Sequence, residues 1–249
     1  MFSANEAERY GRHIVLKGFG APGQQKLKNA RVLVVGAGGL GSPVIAYLAA
    51  AGVGHLSIID PDIISLSNLQ RQIVYKTKDT GQYKAENAGR FVQNLNPEIE
   101  VTCIKESLND TNAYKTIKDH DIVVDGTDRF SSRAMVARHC QKAKCILVSG
   151  AVSMFDGQVS VFAPHLADAN GQPNPGFSCL YPKTPDDSDL PACETNGILG
   201  ATTGVIGTLM AMEVLKIISG VGDPLIARLL LYDGRNAKFT ELKYKRLPT

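Results

Sequence analysis

The chain has 249 residues, of which 44% are hydrophobic and 20% are charged, and its formal net charge is +3. This balance is typical of a globular protein and gives no reason to expect a nucleic-acid partner. No apolar run reaches the length of a membrane span, and the first twelve residues lack the apolar segment of a secretory signal. Five cysteines without a dense spacing pattern predict free thiols and a cytoplasmic location.

The first 150 residues or so alternate helices with short apolar strands. Helices are predicted at 5–17, 24–29, 42–52, 84–97, 109–120 and 129–143. Strands are predicted at 31–35, 55–60, 101–105, 121–128 (with its turn) and 144–152. Alternation of this kind predicts a parallel sheet that is covered by helices on both faces.

The pattern changes after residue 150. A strand at 157–164 follows without a crossover helix, and 167–193 is rich in Pro, Asp, Asn and Gly, which indicates a long crossover loop. A helix at 205–220 and a hairpin at 228–246, turning at Asp233 and Gly234, complete the chain. We therefore predict an α/β fold in one domain, 1–249: a Rossmann-like, doubly wound, mostly parallel sheet with an added C-terminal antiparallel region.

A glycine-rich loop follows the first strand and opens a helix. Gly36, Gly38 and Gly41 match the pattern G-x-G-x-x-G, in which backbone N–H groups at a helix amino end can bind phosphate. Asp60 ends the second strand, 19 residues after Gly41, where a carboxylate can accept hydrogen bonds from ribose hydroxyls. This context predicts a nucleotide site, and the motif by itself does not separate NAD from ATP.

Charged residues beyond the second strand favour ATP. Arg71 and Lys84 supply positive charge for a triphosphate, and Asn68 supplies further donors. Asp125 and Asp128, at the end of the fourth strand, could hold Mg²⁺ through oxygen ligands. The alternatives are that the two basic residues are solvated surface charges and that Asp128 caps the following helix.

Motifs along nearly the whole chain resemble those of the MoeB/ThiF/HesA family, relatives of the ubiquitin-activating enzymes. They are YGRHI (10–14), VVGAGGLG (34–41), AGVGHLSIIDPD (51–62), SLSNLQRQ (65–72), GQYKAE (81–86), DGTD (125–128), CETNGILG (193–200), GVIGTLMAMEVLK (204–216) and LLLYDGR (229–235). The resemblance implies a homodimer that uses ATP and Mg²⁺ to adenylate the C-terminal glycine of a small ubiquitin-like sulfur carrier ending in Gly-Gly. It also implies that about 1–150 bind the nucleotide and about 151–249 bind the carrier.

By matching positions, the resemblance implies a set of nucleotide and metal contacts. These are Gly39, Asp60, Ser67, Asn68, Leu69, Gln70, Arg71, Lys84 and Asp128, with Asp128 as the Mg²⁺ ligand. Arg12 matches the arginine that reaches into the partner subunit's site. Catalysis is assigned to Arg12, Arg71, Lys84 and Asp128, with Cys193 either a nucleophile toward the adenylate or an incidental loop thiol.

The sequence departs from the family pattern at three points. Arg129 stands where the family often has Asn, so it either adds charge near the nucleotide or points to solvent. The first C-x-x-C pair of the family's zinc site is reduced to Cys179 and no second pair follows, so we predict no zinc. No rhodanese-like extension follows, so a separate protein is expected to donate sulfur. Cys103, Cys140 and Cys145 are interpreted as buried apolar residues.

Three other functions stay open. An NAD-dependent oxidoreductase on the same fold would leave Arg71, Lys84 and Asp128 unexplained. A non-catalytic partner subunit would not need Arg12 together with those three residues. Activation of a carboxylate on modified tRNA, within the same family, is not favoured by the small net charge.

Overall fold

A computed structural model describes residues 2–183 and 197–247. Its strands form one eight-stranded sheet in the order β3-β2-β1-β4-β5-β6-β7-β8. β1 to β5 run parallel, whereas β6, β7 and β8 are antiparallel to their neighbours. The predicted α/β fold, with a mostly parallel sheet extended by antiparallel strands, is confirmed.

The strands are β1 Arg31–Val35, β2 His55–Ile59, β3 Glu100–Ile104, β4 Ile122–Asp125, β5 Ile146–Ser153, β6 Asp156–Phe162, β7 Arg228–Asp233 and β8 Lys238–Lys243. The helices are α1 Ala4–Arg9, α2 Gly11–Ile14, α3 Gly20–Asn29, α4 Gly41–Ala51, α5 Lys84–Leu95, α6 Ala113–Ile117, α7 Phe130–Ala143, α8 Phe177–Leu180 and α9 Gly200–Ser219. Single 3₁₀ turns lie at Leu66–Asn68 and Thr77–Asp79.

Alternate residues of β1 enter two separate cores, one on each face of the sheet. Val32 and Val34 pack with side chains of α4, α5 and α9. Leu33 and Val35 pack with side chains of α6 and α7. Successive side chains of a strand point to opposite faces, so a central strand must be apolar throughout when both faces are covered. The sequence RVLVV meets this requirement.

The ends of several helices differ from the prediction. The helix expected at 5–17 is divided into α1 and α2 at Tyr10, whose backbone leaves the helical region (φ −99°, ψ 11°). α6 covers only Ala113–Ile117 of the predicted 109–120, because Asn109 and Asn112 bond neighbouring turn groups instead. α3 begins earlier than predicted, at Gly20, and α9 begins at Gly200 rather than at 205.

The expectation that no apolar run is long enough to span a membrane is wrong. By length and composition alone, α9 is long and apolar enough to do so. In this fold α9 is a core helix that packs against α3, α4, β5 and β6. Its buried Glu213 accepts a 2.8 Å hydrogen bond from the Leu225 backbone N–H and pairs with Lys216. Packing against two helices and two strands of the same sheet accounts for the apolar character of α9.

Candidate nucleotide and carboxylate site

The glycine-rich loop joins the carboxyl end of β1 to the amino end of α4. Gly36 has φ +90°, a conformation that L side chains rarely adopt. A Cβ on Gly41 would lie 2.9 Å from the carbonyl carbon of Gly36, and nearer still to its oxygen. The loop is therefore as tight as the motif predicts. Gly38 and Gly39 lie between these two glycines, with Gly39 facing Thr203 of α9.

Asp60 lies directly beside this loop, at the end of β2. Its carboxylate accepts a 2.7 Å hydrogen bond from the Ala37 N–H and a 2.9 Å bond from the Asp62 N–H. Burial raises the pKa of Asp60, and the Lys84 ammonium and the two N–H donors oppose that rise. Asp60 thus fixes the loop as well as presenting an acid to it, a role that sequence reasoning did not foresee.

The segment after Asp60 forms a turn that carries Arg71 onto the loop. Asn68 is buried, and its side-chain oxygen accepts a 3.1 Å bond from the Ser65 N–H, so one side of the amide is used to shape the turn. Arg71 donates to the Ser67 carbonyl at 3.1 Å, and its Cδ would lie 3.3 Å from a Cβ placed on Gly39. The Arg71 stem therefore lies against the glycine loop.

The neighbouring residues of the turn are placed as follows. Leu69 packs against the larger core cluster, and Ser67 bonds the Ser65 hydroxyl at 2.9 Å. The backbone oxygen of Gln70 comes so close to Gly200 that a Cβ there would collide with it. The amino end of α9 is therefore held against the same turn.

Lys84 begins α5 and points back toward the end of β2. Its side chain is only 8% exposed, and its Nζ lies 2.8 Å from an Asp62 oxygen. The Tyr75 hydroxyl, at 2.8 Å from the Ala37 carbonyl and 3.3 Å from the Lys84 carbonyl, connects the glycine loop to the start of α5. The lysine that sequence analysis selected is thus held beside Asp60 and the loop.

The end of β4 places two acids in very different surroundings. Asp125 is fully buried, and its carboxylate accepts bonds from the Thr127 N–H, the Thr127 hydroxyl and the Ser149 hydroxyl at 3.0, 2.7 and 3.1 Å. Burial raises the pKa of Asp125, partly offset by Arg133. The Asp125 carboxylate therefore has no exposed surface through which it could meet a Mg²⁺ ion, so the structure does not support the expectation that it binds one. Asp128 is exposed and adjoins the same site.

Arg133 is a basic residue near the end of β4 that sequence reasoning did not include among the candidate site residues. It lies one turn into α7 and donates to the Thr127 carbonyl through Nε and Nη2, at 3.1 and 3.0 Å. Its position on the helix that follows Asp128 was the available signal, since the first turns of this helix start at the carboxyl end of β4. Arg129, the helix N-cap, is exposed.

An open cleft of about 1220 Å³ leads from Asp128 along the face of the antiparallel strands. Its walls include both acidic and basic side chains, together with apolar and aromatic ones. They include Arg133, Ala151, Tyr181, Tyr232 and Lys238. Asp128, the acid expected to hold Mg²⁺, is part of the lining of the cleft.

Other predicted residues lie away from this cluster or outside the described residues. Arg12 is exposed on α2, and Cys193 falls in 184–196, which the structure does not describe. Over 2–183 and 197–247, no group of three or more His, Cys, Asp or Glu side chains could hold a metal ion. Cys140 and Cys145 are buried as expected, but Cys103 is exposed because β3 is an edge strand, so that interpretation was wrong.

Comparison with known proteins finds similarity over nearly the whole chain. A family model described as the ThiF family matches residues 10–248. The sulfur carrier protein adenylyltransferase of Thermus thermophilus is 42% identical, over 99% of this chain and 90% of that protein. The SAMP-activating enzyme E1 of Haloferax volcanii is 38% identical, over 98% of this chain and 88% of that protein. The crystal structure of E. coli MccB with ATP is 25% identical, with a TM-score of 0.83 over 99% of this chain and 74% of that one.

Proposed function

Because the chain belongs to the ThiF family, as its motifs indicated, we propose that it uses ATP to adenylate the C-terminal glycine of a small ubiquitin-like sulfur carrier. The products are an acyl-adenylate and pyrophosphate. Two relatives that match almost all of this chain support the assignment: one is named a sulfur carrier protein adenylyltransferase and the other a SAMP-activating enzyme E1. Molybdopterin and thiamine synthesis are the pathways in which we expect the carrier to act.

The observation that carries this proposal is the meeting of four features at one edge of the sheet. A tight glycine loop, a buried acid, two basic side chains and an open cleft lie at the carboxyl ends of β1, β2 and β4. Ligands bind at this edge in open parallel sheets. An oxidoreductase would use the loop and Asp60, but it would leave Arg71, Lys84 and the open cleft without a role.

In the proposed reaction the carrier's terminal carboxylate attacks the α-phosphorus of ATP and pyrophosphate leaves. A carboxylate is ionised near pH 7, so no general base is needed. The protein must instead hold two anions in line and neutralise the charge of the leaving group. We assign this task to the loop N–H groups, Arg71 and Lys84, and we assign Asp60 to accept from the ribose.

The residues present also fit the Mg²⁺ that the family implies. Mg²⁺ is usually held by one or two carboxylates together with substrate phosphates, and Asp128 supplies one exposed carboxylate at the right edge of the sheet. When bound, the ion would screen phosphate charge. Chelation with EDTA is therefore expected to abolish activity, and added Mg²⁺ to restore it.

We assign entry of the carrier tail to the cleft beside Asp128. A Gly-Gly end has no side chains, and Ala151 on β5 is a small residue in the lining of this cleft, which also includes Tyr181 and Tyr232. Ala151→Trp should therefore abolish carrier-dependent exchange of pyrophosphate into ATP while leaving ATP binding unchanged. Thr102→Trp, at the opposite edge of the sheet, is the matched control and should keep wild-type exchange.

The same assay identifies the carrier and tests the function itself. Pyrophosphate exchange is measured with a panel of purified carriers that end in Gly-Gly, with modified tRNA as a further arm. Exchange that requires one carrier supports the proposal and names the pathway. Exchange that requires tRNA, or NAD reduction without exchange, contradicts it.

We further propose that the enzyme is a homodimer in which Arg12 completes the partner's site. Large apolar side chains are exposed on several elements, including Val15 at 77%, Ile73 at 67% and Met212 at 53%, and a second subunit would cover some of them. A cytoplasmic location, a separate sulfur donor, the absence of zinc and a role for Cys193 stay predictions. Metal analysis of the purified protein tests the zinc prediction, and one zinc per chain would contradict it.

A further inference from the structure

Asp62 makes contacts with both charged residues of the proposed nucleotide site. Its backbone N–H donates to the Asp60 carboxylate at 2.9 Å, and its backbone carbonyl accepts from the Lys84 N–H at 2.9 Å. Its side chain accepts from the Lys84 ammonium at 2.8 Å. One residue therefore fixes the position of an acid and of a base that are 24 positions apart in the sequence.

The two partners of this ion pair differ in how far their side chains are exposed to solvent. The Lys84 side chain is 8% exposed, whereas the Asp62 side chain is 64% exposed. An ammonium held largely out of water needs a counter-charge, while the carboxylate could stand alone in solvent. The ion pair therefore stabilises the buried Lys84 ammonium more than it stabilises the exposed Asp62 carboxylate.

Asp60 is the other counter-charge within reach of Lys84. The two charges attract each other, since the Lys84 ammonium is the largest influence that opposes the burial-driven rise in the pKa of Asp60. Without Asp62, the Lys84 ammonium would be left to pair with the Asp60 carboxylate, which lies one hydrogen bond from Asp62. The Ala37 and Asp62 N–H groups each use one acceptor position on the Asp60 carboxylate. Pairing with the ammonium would take the acceptor positions that remain for ribose hydroxyls.

We propose that Asp62 is a positioning residue that holds the Lys84 ammonium away from Asp60. Asp60 then stays free to accept from ribose, and the remaining N–H donors of Lys84 stay free for phosphate. This inference deepens the proposed function and rests on that function in one respect only, namely that the nucleotide is ATP. Its signature is a loss of ribose recognition when Asp62 is removed.

The test compares ATP with 2′-deoxy-ATP and 3′-deoxy-ATP by isothermal titration calorimetry, without carrier. The wild-type protein should bind ATP about tenfold or more tightly than the analogue that lacks the recognised hydroxyl, because a hydrogen bond to a charged group is lost. In Asp62→Ala the ratio should fall close to one. Asp62→Glu should restore part of it, since the longer carboxylate can still pair with the ammonium.

Two further variants make the result specific. Asp62→Asn keeps an acceptor but removes the charge, so it should also lower the ratio, and it replaces the alanine variant if that protein does not fold. Glu86→Gln breaks a comparable ion pair at 2.8 Å, with Lys105, on the same helix as Lys84. It should keep the wild-type ratio.

The outcomes separate this inference from the proposed function. A wild-type ratio in Asp62→Ala, no ribose discrimination in the wild type, or an equal loss in Glu86→Gln overturns the role of Asp62. If the ratio collapses as expected but no carrier supports exchange, Asp62 is supported and the carrier function is contradicted. If the wild-type protein does not bind ATP, both are overturned.

Discussion

Substitution of Gly41 by alanine is the sharpest test of the glycine loop. The added Cβ would lie 2.9 Å from the Gly36 carbonyl carbon and closer to its oxygen, a distance that real Cβ atoms essentially never show. The obstacle is backbone rather than a flexible side chain, so the loop or the start of α4 must shift. Overpacking of this kind costs about 1–3 kcal/mol.

This cost can be converted into a melting temperature. A domain of 150–250 residues loses roughly 2–4 °C per kcal/mol, so Gly41→Ala should melt about 2–12 °C below the wild-type protein. The shifted loop should also weaken ATP binding, by roughly tenfold if one hydrogen bond from a loop N–H to a phosphate is lost. Differential scanning calorimetry and titration calorimetry measure the two effects.

Gly204→Ala is the matched control. A Cβ at Gly204, in α9, would meet no heavy atom within 4 Å. Alanine is favoured over glycine inside a helix by roughly 0.5–1 kcal/mol, so this variant should melt slightly above the wild type and bind ATP equally well. If Gly41→Ala melts and binds ATP as the wild type does, the argument from the close approach to Gly36 is refuted.

Three more results are expected. Lys84→Ala should raise the activation barrier of exchange by about 2–4 kcal/mol, by analogy with a lost oxyanion donor, and light scattering should show an unchanged dimer. Lys105→Ala is the control and should exchange normally. Near-normal exchange in Lys84→Ala would count against the site. If Arg12 acts in trans, mixing inactive Arg12→Ala and Lys84→Ala subunits should restore about a quarter of wild-type exchange. Half of the randomly formed dimers then contain one subunit of each kind, and one of the two sites in such a dimer is intact. No recovery would show that Arg12 does not complete the partner's site. Burial raises the pKa of Asp125, so the stability linked to this group is fully present below the ordinary aspartate value and is lost as pH rises through the folded value. Asp125→Asn should therefore gain melting temperature relative to wild type as the pH rises from about 4, and parallel curves would show that the carboxyl carries no such penalty.

The sequence predicts the sheet and the glycine loop because both depend on local pattern. A short run of valine and leucine followed by glycine favours a central strand that ends at a tight turn, and β1 with Gly36 is that feature. Asp60 was placed by the same logic, since it ends the next strand. Helix ends were less predictable, because Tyr10 and Asn112 change the path of the chain through contacts that the hydrophobic pattern does not encode.

The state of each charged side chain could not be predicted in the same way. Asp125 and Asp128 are three positions apart in one motif, yet one is enclosed by hydroxyl and amide donors and the other faces solvent. The donors come from Thr127 and from Ser149, and Ser149 reaches Asp125 only through the register of β4 with β5. The pairing of Asp62 with Lys84 likewise depends on how α5 approaches the end of β2.

The Tyr75 phenol has a consequence for any attempt to change which nucleotide the enzyme accepts. It links the carbonyl of Ala37 to that of Lys84, and burial raises its pKa far above the ordinary tyrosine value, so the link keeps its proton across the physiological range. Moving the glycine loop away from the start of α5 would therefore stretch or break one of these two bonds. We expect a variant designed for a bulkier nucleotide to need a change at Tyr75 as well as at the residues that face the ligand.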